Sequence, residues 1–252
     1  NYVIKGKAKE ISAIISKKIN LKDTSFDFFA DPVDILIKEI YSEVDGVKIK
    51  NGNLRVDKSK NINIQSDFNT EIDITKKNIK KYLPIIKDFN NINDNSLLKA
   101  KLDHILIINF DKTLKVINYD YTSKGTAQNI SLKFDEPLEN AIFDENIKEL
   151  NLVNSVLNTR YSSNKKNFIE ADGKYQFNKN KTQNYKFKNI FENGKMNIDL
   201  NLKFSQPFYV DLINYNQKIN EVGEISLNFI LNKDLINFKN IRYEKNKNLI
   251  SV

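Results

Sequence analysis

Apolar and polar residues alternate strictly along several segments of the chain. Every second residue of segment 196–204 is apolar, and the residues between them are polar or charged. Segment 225–231 repeats the apolar positions, with Ser226 and Asn228 on the opposite face, and segment 62–74 shows the pattern with two polar interruptions. Because successive side chains of a strand point to opposite faces of a sheet, each segment is predicted to be a β-strand with one apolar face.

Compact turn signals separate these strands and shorter candidate strands. The signals are Asp45-Gly46, Asn51-Gly52 and Asn193-Gly194, together with the polar segments 111–113, 178–181 and 232–234. Asn-Gly and Asp-Gly pairs favour the positive backbone angles of tight hairpins. Since the strands follow one another at short intervals, neighbours are predicted to pair antiparallel in an up-and-down meander.

Three segments are predicted to be short helices. Asp34–Val44 follows a proline and places Ile37, Ile40 and Val44 at helical spacing. The other two segments are 76–89, which contains a proline, and 138–150, which follows one. The expected fold class is therefore mainly β, a long curved antiparallel sheet with a few short helices. A single domain over residues 1–252 is expected, with a weak division near 90–96.

A sheet with one apolar face must cover that face with a second sheet, with helices or with an apolar ligand. The predicted helices are too few and too short for this task. Two alternatives remain: a structural or adhesive β-sandwich with a self-covered core, or a trough that binds lipid. Burying an acyl chain of about sixteen carbons gains on the order of 12 kcal/mol before ordering costs.

In the lipid hypothesis, the ligand contacts the alternating apolar residues of the three longest patterned strands. These residues are Ile62, Ile64, Phe68, Ile72, Ile74, Met196, Ile198, Leu200, Leu202, Phe204, Ile225, Leu227, Phe229 and Leu231.

No catalytic or metal-binding motif occurs in the sequence. The chain has no Cys, so disulfides, thiolate nucleophiles and cysteine-based zinc sites are excluded. His104 is the one histidine, and a structural role is the expectation for it because no nucleophile motif accompanies it. The chain is therefore predicted not to be an enzyme and to use no cofactor.

The net charge of +8 raises the hypothesis of single-stranded nucleic-acid binding. Acidic residues interleave with lysine nearly everywhere, and no basic stripe with interleaved aromatic residues occurs. A solvated lysine surface is the preferred interpretation, and nucleic acid is not predicted as a partner. The longest apolar run is four residues, at 105–108, so no segment could cross a bilayer as a helix.

Segment 47–56, with Asn51-Gly52 between two short apolar-patterned stretches, resembles the strand units of the AsmA-like envelope proteins. Segments 4–8 and 225–252 have a similar pattern. The resemblance implies a curved β-groove that carries phospholipid between the inner and outer membranes of the cell envelope. It also implies a periplasmic location and a tether to the inner membrane through a segment outside this chain, so that the chain would be an internal piece.

Overall fold

A computed structural model describes residues 2–15, 19–44, 46–75, 91–139, 145–210, 215–218, 221–232, 235–245 and 248–251. Over these residues all regular structure is β, in sixteen strands. The strands are β1 (Ile4–Ile15), β2 (Ile19–Ala30), β3 (Asp34–Val44), β4 (Val47–Asp57), β5 (Ile62–Thr75), β6 (Leu97–Phe110), β7 (Val116–Leu138), β8 (Ile147–Ser162), β9 (Asn167–Phe177), β10 (Gln183–Glu192), β11 (Lys195–Phe204), β12 (Phe208–Val210), β13 (Tyr215–Gln217), β14 (Gly223–Asn232), β15 (Leu235–Lys245) and β16 (Asn248–Ser251).

Fourteen strands form one antiparallel sheet in the order of the chain, which confirms the predicted meander. Strands β12 and β13 form a separate hairpin, so β11 pairs directly with β14. The sheet is open, with β1 and β16 as its edges. The patterned segments 62–74, 196–204 and 225–231 are strands β5, β11 and β14, as predicted.

The helix predicted at Asp34–Val44 is wrong, because this segment is strand β3. Its pairing with β2 skips one residue of β3 between Lys38 and Tyr41, which is a β-bulge. Glu39 lies in this bulge with a φ of 53°. The extra residue separates Ile37 from Ile40 by three positions instead of two, and this spacing imitates one face of a helix.

The other two predicted helices differ in outcome. In the segment 138–150, Leu138 ends β7 and Ile147 begins β8, so the predicted helix is wrong over the part that the structure describes. The segment 76–89 lies outside the described residues.

One of the predicted turns is also wrong. Asn51 and Gly52 lie inside β4, where an extra residue shifts the pairing with β5. A Cβ atom on Gly52 would lie 3.1 Å from the Phe68 Cβ and 3.3 Å from the Ile40 Cβ, so close packing is the reason for glycine here. By contrast, Asn193 and Gly194 join β10 to β11 with positive φ angles of 52° and 73°, as expected of a tight hairpin.

The chain forms two compact units. Unit 1 comprises residues 1–74, 99–126 and 158–167, and unit 2 comprises 75–98, 127–157 and 168–252.

The buried hydrophobic residues of the described chain are Ile74, Ile92, Ala100, Ala127, Phe134, Tyr175, Tyr185, Phe204 and Tyr243. The part of the chain that the structure describes contains no helix long and apolar enough to span a membrane.

Candidate functional site

Four neighbouring strands of unit 2 place apolar side chains opposite one another on one side of the sheet. The pairing of β10, β11, β14 and β15 gives four rows across these strands. The rows are Tyr185–Leu202–Ile225–Tyr243, Phe187–Leu200–Leu227–Ile241, Asn189–Ile198–Phe229–Phe238 and Phe191–Met196–Leu231–Ile236. We call these residues the apolar face. Directly opposite residues point to the same side of a sheet, so these side chains form one continuous surface.

The apolar face becomes more exposed toward β15. Its residues on β11 and β14 are half-buried. On β15, Ile236, Phe238 and Ile241 are 56%, 51% and 37% exposed. The rings of Phe229 and Phe238 contact each other across β14 and β15 with centroids 5.5 Å apart. Apolar side chains that share a surface and remain open to solvent are the usual mark of a binding surface.

The first row of the face lies at a closed end. Phe204, which follows on β11, is 1% exposed and packs against Tyr243 with ring centroids 5.9 Å apart. The Tyr243 hydroxyl donates a hydrogen bond of 2.7 Å to Oε1 of Gln217, and Nε2 of Gln217 donates to the backbone oxygen of Gln206 at 2.8 Å. Gly223 makes this possible, since a Cβ there would lie 2.6 Å from the Tyr243 ring.

Asn189 is the one polar residue of the apolar face. Its side chain is 4% exposed, and its Oδ1 atom has no hydrogen-bond partner. Phe187 and Phe191 flank it on β10, and Ile198 lies directly opposite on β11. A buried amide oxygen without a donor is unusual, because protein interiors almost always satisfy such atoms.

The opposite side of the same strands is mainly polar, with Ile190 and Ile230 as apolar exceptions. Lys188 forms an ion pair of 2.7 Å with Glu170, and Asn228 donates a hydrogen bond to Asp199. The hydrogen bond to Glu170, with its charge, raises the pKa of Lys188 above the usual value of 10.5. This side therefore carries the charges that the sequence intersperses among the apolar positions.

The structure divides the fourteen predicted lipid-contacting residues between the two units. Those of β11 and β14 are direct neighbours, as in the pairs Leu200–Leu227 and Ile198–Phe229. Those of β5 belong to unit 1, where Ile64 pairs with Val56 of β4. Phe204 is sealed under Tyr243 and has little surface left for a ligand.

Sequence reasoning missed the contributions of β10 and β15 to the apolar face. On β15 the apolar spacing is two, three and two from Ile236 to Tyr243, because the register shifts beside Phe238. On β10 the polar Asn189 interrupts the series. A search for alternation that tolerates one inserted residue would have found β15.

A line of buried polar side chains interrupts the apolar positions of unit 1. The hydroxyls of Thr24 and Ser42 lie 2.7 Å apart. His104 contacts the Thr70 hydroxyl through Nε2 and the Tyr121 hydroxyl through Nδ1, each at 2.8 Å. The imidazole also stacks on the Phe68 ring at a centroid distance of 4.6 Å.

This environment favours the neutral imidazole of His104. Burial lowers the pKa of His104 below its usual 6.5, against the opposing effect of Asp103. Both ring nitrogens are engaged by hydroxyl groups, and the hydrogen bonds of the ring to described residues include no carboxylate of the kind that a catalytic triad uses. Among the described residues, no three acidic or histidine side chains group as a metal site would require.

Comparison with known proteins gives no match: neither a family model, nor a curated protein, nor a solved structure is similar to this chain.

Proposed function

We propose that the chain is a non-enzymatic lipid-binding segment, whose apolar face in unit 2 holds the acyl chains of a phospholipid or a related lipid. The observation that supports this proposal is the exposure of Ile236, Phe238 and Ile241 at the side of a four-strand apolar surface. These residues continue the rows of β11 and β14 across the sheet.

The magnitude of the interaction is sufficient for binding without specific polar contacts. Each buried methylene contributes about 0.8 kcal/mol, and an acyl chain contributes on the order of 10 kcal/mol before ordering costs. The ten-residue strand β11 runs about 33 Å at roughly 3.3 Å per residue, which is long enough to accommodate such a chain.

In the wider hypothesis, the chain is part of an AsmA-like protein of the cell envelope. It would pass phospholipid along a β-groove between the inner and outer membranes, in the periplasm, and a segment outside this chain would attach it to the inner membrane. The support is the pattern resemblance together with the apolar face. The rival hypothesis is a structural or adhesive module that binds no lipid.

The test compares variants on the two sides of the same strands. Phe238→Asp places a charge on the exposed part of the apolar face, and Leu200→Asp and Phe229→Asp place one at its centre. Asn201→Asp adds the same charge on the polar side, next to Leu200 in sequence. We expect the wild type and Asn201→Asp to retain phospholipid after mild detergent extraction, as measured by native mass spectrometry. The three variants of the apolar face lose it.

Phe238→Asp is the decisive variant, because a side chain that is 51% exposed can be changed with little effect on folding. Circular dichroism verifies that each variant keeps its β structure. If folded Phe238→Asp and Leu200→Asp proteins retain as much lipid as the wild type, the apolar face is not the lipid site. If the wild type retains none, the rival module is favoured.

A further inference from the structure

An open cleft of about 610 Å³ lies on strands β1, β2 and β3 of unit 1. Six of the residues that line it form two rows of directly opposed positions across these strands. The rows are Lys5–Phe29–Leu36 and Lys7–Asp27–Lys38. Because residues two apart on a strand point to the same side of a sheet, both rows lie on one side. The cleft is a different surface from the apolar face, which belongs to unit 2.

The centre of the first row is apolar and open to solvent. Phe29 is 38% exposed, and Leu36 beside it on β3 is half-buried. Both residues lie among charged side chains, so they form a small apolar floor on an otherwise polar surface. A ligand that covers this floor removes apolar area from water, which favours binding.

The charges that line the cleft are unequal. Lys7 forms an ion pair of 2.6 Å with Asp27, and Glu39, outside the lining, adds a weaker attraction to Lys7. Lys5 and Lys38 are exposed, and neither forms an ion pair with a described residue. Three lysines against one aspartate give the described lining a net charge of +2. An anion is therefore the complementary ligand.

We propose that this cleft binds small organic anions that carry an aromatic or aliphatic group, such as an aromatic carboxylate. The apolar group packs on Phe29 and Leu36, while the carboxylate is attracted by the charges of Lys5 and Lys38. A neutral analogue makes the same apolar contacts without this attraction. The proposal is independent of lipid binding by the apolar face.

The test compares two probes with the same ring system. Naphthoate carries a carboxylate, and naphthamide is its uncharged amide. Each is titrated into the full chain and followed by its own fluorescence. We expect the wild type to bind naphthoate about fivefold more tightly than naphthamide at low salt, the effect of one or two exposed ion pairs. The preference should fall toward one at about 1 M salt, where charges are screened.

A pair of double variants separates the cleft from the general positive charge of the chain. Replacing Lys5 and Lys38 by Gln should reduce the preference for naphthoate to about one. The control replaces Lys22 and Lys112 by Gln, which removes the same charge from exposed positions of unit 1 outside the cleft lining. The control should keep the wild-type preference.

A single variant should increase the affinity instead. Asp27→Asn removes the carboxylate from the described lining and releases Lys7 from its ion pair. We expect naphthoate to bind about threefold more tightly to this variant than to the wild type, and naphthamide to bind unchanged. A gain of affinity cannot arise from a loss of folding, so this variant complements the two that remove lysines.

The outcomes that would overturn the proposal are specific. Equal binding of both probes by the wild type is one, and an equal loss of preference in both double variants is another. A lower affinity of folded Asp27→Asn for naphthoate would also contradict it. If the wild type binds neither probe but sediments with vesicles of anionic phospholipid, and the variant of Lys5 and Lys38 does not, this surface contacts a membrane instead. None of these results bears on the lipid proposal for unit 2.

Discussion

Buried polar side chains of unit 1 satisfy one another within the sheet. Thr24 and Ser42 share one hydrogen bond, and His104 bridges Thr70 and Tyr121. Hydroxyl groups can either donate or accept, so each of them adapts to the tautomer of the imidazole. The neutral ring is therefore fully accommodated, whereas burial disfavours the charged ring.

The stability of the chain is expected to depend on the protonation of His104. Because the pKa is lower in the folded state than the usual 6.5, the unfolded chain binds the proton more readily. The stabilisation is complete above the unfolded pKa and is lost as the pH falls below it. Urea unfolding between about pH 7.5 and about pH 5.5 should show the free energy of unfolding decreasing toward acid.

A variant without histidine provides the control for this prediction. His104→Gln removes the sole imidazole of the chain, so its free energy of unfolding should vary much less over the same interval. An equally steep dependence in His104→Gln would assign the effect to carboxylates instead.

Inserted residues set the geometry of strands β1 to β4. In each of these strands the pairing skips one residue, and Glu10, Asp23 and Glu39 lie at or beside such positions with φ angles of 53°, 49° and 53°. A bulge strengthens the local twist and bends the strand. After each bulge the apolar residues move by one position in the sequence, from even to odd numbers or the reverse. Because the bulge itself adds one residue, their side chains remain on one side of the sheet.

Replacing Glu39 by glycine should separate the cost of this backbone conformation from other effects. Glu39 has a φ of 53°, which glycine adopts without penalty, whereas Glu43 lies in the same strand with an ordinary backbone. We expect the Glu39→Gly protein to be more stable than the Glu43→Gly protein by about 1–2 kcal/mol in urea unfolding. Equal losses in both variants would show that the left-handed conformation carries no cost here.

These bulges explain why some strands could be predicted from the sequence and others could not. Strands β11 and β14 pair without an interruption, so their strict alternation predicted the strands and their shared apolar side. In β3 the inserted residue produced a helical spacing, and in β4 the glycine that packs under Phe68 resembled a turn. Asn189 escaped notice because an unpaired oxygen is a property of the packed structure, which a single sequence does not reveal.

Over the part of the molecule that the structure describes, more hydrophobic residues are exposed than are buried. Nine hydrophobic residues of the described chain are buried, while twenty large hydrophobic residues are exposed. Some charges of the described residues are paired: Glu71 lies 3.2 Å from Lys50 and 3.1 Å from Lys101, and the hydrogen bonds from Lys101 and Lys50 lower the pKa of Glu71. Folding therefore leaves apolar surface uncovered, which a bound lipid would remove from water.

A ligand that binds only the folded chain should raise its melting temperature. At a free ligand concentration of about 100 times Kd the stabilisation is about 2.7 kcal/mol. For a chain of 252 residues this corresponds to an increase of roughly 5–10 °C in Tm. Calorimetry with hexadecanamide should show this increase for the wild type and for Asn201→Asp, and a much smaller one for Phe238→Asp. Because Phe238 contributes to the surface and not to a sealed core, an equal increase in Phe238→Asp would mean that the lipid binds elsewhere on the chain.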